Sequence, residues 1–266
     1  MARKIQDNSN PTYKAPAIEK AFRILSSVAE SPQAVGMVEL SEQLEFSKST
    51  THGIVHALLR EGALVRDPLS RKLCLGPLLA ELAFSNFYSF DFFKQVQPLI
   101  DNIRDKINET VFFGVRIRDR VMITAISEAS ETLKISASVG TPLPLLAGAL
   151  GKAFLAGESP DRVRQIIGKD GLPGWTKNSI VDNKKYLSEL EQVRSQGYAV
   201  DIEEYILGIN AVSVAIENLH GMPAAIWVVG MSRNLDKGKI KNTAAIMIDA
   251  AQELMKKKSS SRDSSD

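Results

Sequence analysis

Residues 47–62, SKSTTHGIVHALLREG, carry two histidines four positions apart, with serines, threonines and a lysine around them. Two chemistries suit that spacing. The first is metal binding, since histidines at i and i+4 share one side of a helix; but no glutamate follows His52, and His220 is the only other histidine in the chain, so no metal site is expected. The second is reading DNA. On a helical wheel centred on Ile54, residues Thr50, Thr51, Ala57, Leu58 and Glu61 fall on the inward arc, while Ser49, His52 and His56 point away, with Lys48, Gly53 and Arg60 on the flanks. Short donors and acceptors opposite a packing face are what a helix needs to reach base edges and phosphates. Gly53 costs a helix interior about 1 kcal/mol relative to alanine, which points to a close approach by a phosphate. An ordinary surface helix is the alternative reading.

Other chemistries are poorly supplied. Gly151-Lys152 in LLAGALGKAFLA is not a phosphate loop, because Leu146 and Ala153 stand where the Walker pattern needs glycine and Ser or Thr. Cys74 is the single cysteine, which leaves no intrachain disulfide and fits a reducing compartment. An enzyme would need a base beside a nucleophile, and the second half of the chain offers His220 and carboxylates such as Asp201 and Glu204. No catalytic residue and no cofactor is assigned. The formal charge of +2 does not announce a nucleic-acid binder. Between residues 47 and 72, however, Lys48, Arg60, Arg66, Arg71 and Lys72 face only Glu61 and Asp67.

The elements around the histidines fit that use. Ile18, Ala21, Phe22, Leu25 and Val28 recur at helical spacing after Pro16, predicting a first helix with that row inward. A short second helix follows at about 38–44, and Ser47 is placed to cap a third that ends at Gly62. Next, ALVRDPLSRKLCLGP reads as a hairpin with a basic tip. Three helices and a basic hairpin make a winged helix-turn-helix, with Ser47, Lys48, Ser49, Thr50, His52, Gly53, His56, Arg66, Arg71 and Lys72 as its candidate DNA contacts.

A chain of 266 residues that is 44% apolar is long enough for two domains. Boundaries are expected at 1–14 for a disordered arm, 15–77 for the winged domain, 78–90 for a linker helix, 91–257 for a second domain and 258–266 for a disordered tail. Aromatic residues Phe84, Phe87, Tyr88, Phe90, Phe92 and Phe93 crowd the joint, which predicts packing between domains or subunits. Beyond it, TVFFGVRIR and VMITAIS predict a hairpin, LKISASVG alternates as a strand, and YAVDIEEY, NAVSVAIE and AAIWVVGM read as further strands among helices at about 147–155, from Ser159-Pro160, at 182–195 and at 240–254. This predicts a mixed or antiparallel sheet in an α+β sensor-like domain. No secretory signal or apolar run of membrane length is present, so a cytoplasmic protein with no membrane partner is expected.

The combination AIEKAFRILSSVAES, LSEQLEFSKSTTHGIVHALLREGALVRD and KLCLGP, followed by LPLLAGALGKAFLA, RSQGYAVDIEEYILGINAVSV and AAIWVVGM, resembles the isocitrate-lyase-regulator (IclR) family of bacterial transcription regulators over about residues 15–257. The resemblance implies an α+β chain in which a winged helix-turn-helix joins, through a linker helix, a GAF-like α/β sensor domain. It implies a homodimer or homotetramer that binds a pseudo-palindromic double-stranded DNA operator and senses a small organic-acid effector. The family commonly has arginine where Gly53 stands here, which shifts weight to His52, His56 and the wing. The resemblance assigns effector contacts to the amides of Ala149 and Leu150, where tight helix packing is the competing reading, and to Asp201, Ala211, Trp227 and Val229. Ala211, Trp227 and Val229 replace small polar or thiol side chains, so the resemblance implies a drier pocket for an acid with an apolar or aromatic part. A constitutive DNA-binding protein with a structural second domain and an enzyme acting on a small carboxylate remain alternatives.

Overall fold

The computed structural model describes residues 15–87, 91–219 and 222–262. The chain divides into two compact units, the first ending at Phe90 and the second starting at Asp91.

The first unit is a winged helix-turn-helix. Helix α1 (Pro16–Glu30) begins on proline, whose missing N–H costs nothing at that position. Helix α2 (Met37–Gln43) starts at Gly36, whose N–H donates to the Glu39 carboxylate at 3.2 Å. Helix α3 (Lys48–Arg60) is capped by Ser47, whose hydroxyl accepts the Thr50 N–H at 3.2 Å. Strands β1 (Leu64–Arg66) and β2 (Leu73–Leu75) pair antiparallel as the wing, and Val35 adds a bridge to Leu73. Ile24, Val28, Val35, Leu40, Val55, Leu64 and Leu73 form the core. Helix α4 (Pro77–Phe87) leads out of the unit.

Two inward faces differ from expectation. Helix α1 buries Ile24, Ser27 and Val28, while Ile18 and Phe22 are 59% and 62% exposed. Its apolar residues span a wide arc, and the positions of α3 and β2 decide which part goes inward. On α3 the buried centre is Thr51 and Val55 rather than Ile54, and Glu61 is exposed. Periodicity finds such a face but sets its rotation only loosely.

The second unit is an antiparallel sheet with helices on it. Helix α5 (Asp91–Ile107) precedes strands β3 (Thr110–Ile117), β4 (Arg120–Ser127) and β5 (Pro142–Pro144), then helices α6 (Gly148–Ala156), α7 (Pro160–Ile167) and α8 (Asn183–Gln196). Strands β6 (Ala199–Ile202), β7 (Ile209–Leu219) and β8 (Met222–Met231) and helix α9 (Lys237–Arg262) complete it. The strand order is β5-β4-β3-β8-β7-β6. Helix α5 packs on β3, β4 and α9, while α6 packs on β6, β7, β8 and α8.

Residues 133–139, expected as a strand from their alternation, are not one; one edge of the sheet is instead β5, which begins and ends on proline. Proline is tolerated there because an edge strand leaves one row of N–H positions unpaired. The alternation has another cause, since Ile135 and Ala137 face a cavity while Leu133 and Val139 are exposed. Helix α9 continues to Arg262, past residue 258 where a disordered tail was expected, because extending a formed helix costs little even for polar residues. The expected arm at 1–14, residues 263–266, the end of the linker at 88–90 and His220 lie outside the described residues, as do the side chains of the aromatic joint. Among the described residues no helix is long and apolar enough to cross a membrane, and no group of three or more His, Cys, Asp and Glu is arranged to hold a metal.

Candidate functional site

The first candidate is the outer face of α3. Lys48, Ser49, His52, Gly53, His56 and Arg60 are exposed on it, and the rings of His52 and His56 lie 4.3 Å apart. Ser47 and Thr50 are occupied by the helix start, the Ser47 hydroxyl lying 2.8 Å from the Thr50 hydroxyl and 3.1 Å from that of Ser49. A Cβ built on Gly53 meets nothing within 4 Å, so nothing in the fold requires glycine there. Arg60 is engaged with Glu61 at 3.3 Å, in a pair exposed on both sides and worth little to stability.

The wing beside it is held by its own turn. The Asp67 carboxylate accepts from the Leu69 and Ser70 N–H groups at 3.1 and 2.6 Å and from the Ser70 hydroxyl at 2.8 Å. The Ser70 bonds, backbone first, hold the Asp67 carboxyl below the ordinary carboxylate range. Arg71 turns the strand with φ +59°, and Arg71 and Lys72 are exposed. Arg66 is half-buried, its guanidinium reaching the Arg71 carbonyl at 3.5 Å. Cationic side chains on a rigid hairpin beside an exposed polar helix face match the surface that a DNA groove and its phosphates present.

The second candidate is a cavity of about 250 Å³ in the second unit. Ala149, Leu150, Asp201, Ala211, Trp227 and Val229 all line it, although they come from α6, β6, β7 and β8. Sheet register explains part of this gathering, because Asp201 pairs with Ala211 and Ala211 with Val229, so the three form one row across neighbouring strands. Trp227 stacks on Phe112 with ring centroids 5.4 Å apart. Gly114 on β3 leaves room for that ring, since a Cβ there would come within 2.9 Å of the indole.

Sequence reasoning missed the rest of the wall. Phe112, Ile135, Ala137, Tyr205 and Ile206 also line the cavity. The alternation at 133–139 is the available signal, and it suits a strand equally well. Tyr205 and Ile206 sit on the segment after β6, which is tied down when the Thr176 and Ser179 hydroxyls donate to the Glu203 and Glu204 carbonyls at 2.6 and 2.7 Å. Trp175 meets the Tyr205 ring edge-on at 5.1 Å.

Electrostatics behind the cavity centre on α6. Lys152 is 0% exposed, with its ammonium 2.7 Å from Glu204 and 3.4 Å from Glu189, so the lysine of the apparent phosphate motif is a structural ion. Burial pushes the Glu204 carboxyl up, and Lys152 opposes that shift. Asp201 is buried, and its carboxylate accepts from the Glu204 N–H at 2.6 Å and the Tyr205 N–H at 3.3 Å. Burial raises its pKa, while those amides and Lys152 pull the other way. The start of α6, whose amides the resemblance offers to an effector carboxylate, thus already carries a carboxylate of the chain itself, since a Cβ on Gly148 would lie 1.8 Å from Asp201 Oδ2.

Comparison with known proteins finds matches for both units. Residues 17–68 match the IclR helix-turn-helix domain, and residues 85–256 match the bacterial transcriptional regulator IclR C-terminal domain. The chain is 26% identical over 247 residues to the transcriptional repressor IclR of Escherichia coli K12, covering 91% of this chain and 90% of that repressor. The crystal structure of an IclR transcriptional regulator from Alicyclobacillus acidocaldarius aligns with TM-score 0.75 at 26% identity, over 91% of this chain and 98% of that one. An IclR homologue from Microbacterium hydrocarbonoxydans, crystallised as a complex with 4-hydroxybenzoate, shares the fold with TM-score 0.71 at 21% identity, over 90% and 97% of the two chains.

Proposed function

The chain belongs to the IclR family of bacterial transcriptional regulators, and from that premise we propose that it controls a catabolic or metabolic operon in response to a small organic acid with an aromatic or otherwise apolar body. It is a DNA-binding regulator and not an enzyme. In this reading Ser49, His52, Gly53 and His56 enter a groove of a pseudo-palindromic operator, and Arg66, Arg71 and Lys72 grip the flanking strand. Ala149, Leu150, Asp201, Ala211, Trp227 and Val229 are its effector contacts.

The observation that carries the sensing half is the cavity wall itself. Trp227 and Phe112 supply a stacked aromatic floor, and Ala211 and Val229 bring no hydroxyl that a very small oxo-acid would need as a partner. The relative complexed with 4-hydroxybenzoate supports an aromatic acid as the class. Effector binding acts by favouring one arrangement of a cytoplasmic homodimer or homotetramer over another, and a coupling of about 1–3 kcal/mol is enough for a 5- to 150-fold change in operator affinity.

A thermal-shift screen tests this directly. Aromatic acids are expected to raise the melting temperature of the full chain and to change its footprint on the DNA upstream of its own gene. Stabilisation by glyoxylate or pyruvate with no response to aromatic acids would contradict the assignment, and operator binding insensitive to every acid would favour a constitutive DNA-binding protein.

A further inference from the structure

The polar end of the cavity is built around an anion that belongs to the chain. A Cβ placed on Gly148 would lie 1.8 Å from Asp201 Oδ2, so the carboxylate rests directly on the first turn of α6, at the positive end of the helix. Asp201 is 4% exposed, and two backbone N–H groups, those of Glu204 and Tyr205, donate to its two oxygens. Among the described residues no lysine, arginine or histidine lines the cavity. Lys152, the cation whose charge acts on Asp201, is already shared between Glu204 and Glu189.

A second carboxylate arriving at the start of α6 would meet Asp201 in a dry site with no uncommitted positive charge. Two carboxylates so placed cannot both stay ionised, and one must take up a proton. A hydroxyl faces no such obstacle. A carboxylate offers about four lone-pair sites, and with two backbone donors on Asp201 there is room for a further donor.

We infer that the effector's inner end is a hydrogen-bond donor, a hydroxyl given to the Asp201 carboxylate, with the ring against Trp227 and Phe112 and the acid group turned outward. Outward here means toward Ser136 and Ile206, the exposed residues of the cavity wall. This rests on the sensing reading above and sharpens it, from an aromatic acid to a hydroxylated one, with the hydroxyl rather than the acid at the helix start.

Three probes separate the possibilities. Isothermal titration of the full chain with benzoate, 4-hydroxybenzoate and 4-methoxybenzoate compares no group, a donor and a blocked donor at one ring position. The 4-hydroxy compound is expected to bind at least about tenfold more tightly than either of the others, as a charge-assisted hydrogen bond would give. In Asp201→Asn, which removes the charge but keeps the shape, that preference is expected to shrink and benzoate to gain. Equal affinity for benzoate and 4-hydroxybenzoate in the parent protein, or an unchanged ratio in the variant, overturns the inference while leaving aromatic-acid sensing intact. Binding of none of the three removes the sensing reading and the inference with it. Should the variant not fold, the three affinities of the parent still decide.

Discussion

On α3, Ser49, His52, Gly53 and His56 lie exposed, outside the apolar core, whereas Asp201, Ala149 and Trp227 are buried. One face is held ready for a partner outside the chain, and its side chains can change at little cost to folding. The other doubles as structure, so altering it changes stability and ligand response together. Within α3 the same division runs around a single helix, where Val55 and Thr51 are 0% exposed and His52 and His56 stand on the opposite side.

Substitutions can break this contrast or sharpen it. The largest effect is expected behind the cavity, at Lys152, whose removal leaves Glu204 and Glu189 facing each other without their cation. Lys152→Ala is expected to lower stability by about 3–5 kcal/mol, read by urea unfolding, and a loss no larger than that of a surface lysine would contradict the buried-ion account. Next is Leu40→Ala in the core beneath α3, with an expected loss of about 3 kcal/mol. By contrast, His52→Ala or His56→Ala should stay within about 0.5 kcal/mol of the parent while weakening operator binding.

Gly53→Ala sets the two demands against each other at one position. With nothing within 4 Å of the added methyl, folding is expected to gain, by about 1 kcal/mol from helix propensity. Operator affinity should fall if a phosphate comes close there. Gains in both would show that the glycine serves neither purpose.

The smallest expected effect is a pair of opposite pH trends. Burial raises the Asp201 carboxyl, so the folded state holds that proton more tightly than the unfolded chain. Its stabilising contribution is complete below the unfolded carboxylate value and is lost as pH rises through the higher folded value. The parent's stability relative to Asp201→Asn should therefore decline as pH rises through that window. Asp67 in the wing is lowered by its Ser70 bonds, so its contribution is present above the unfolded value and is lost as pH falls through the folded one. Relative to Asp67→Asn, the parent should therefore lose stability on acidification. Melting temperatures of the three proteins across the acidic range check both signs.

The legible parts of the sequence were those fixed by local chemistry. The Ser47 cap, the stop at Gly62, whose φ is +77°, and the hairpin around Asp67 each depend on a few neighbouring residues. The winged unit follows from their order. The cavity was legible only in part, because the six assigned residues came through resemblance while the wall at 135–137 was disguised by an alternation common to strands and to any one-sided surface. Nothing local signals that Asp201 rests on the start of α6, since the two meet only after the sheet forms. Lys152 was equally hidden, because its burial depends on Glu189 and Glu204, which lie far along the chain.

The most direct test of the account is a footprint of the DNA upstream of the gene with the triple variant Ser49→Ala, His52→Ala, His56→Ala beside the parent, after circular dichroism and thermal melting of both. The account predicts an unchanged fold and melting temperature with protection lost or strongly weakened. Protection equal to the parent's would show that the exposed face of α3 does not read DNA.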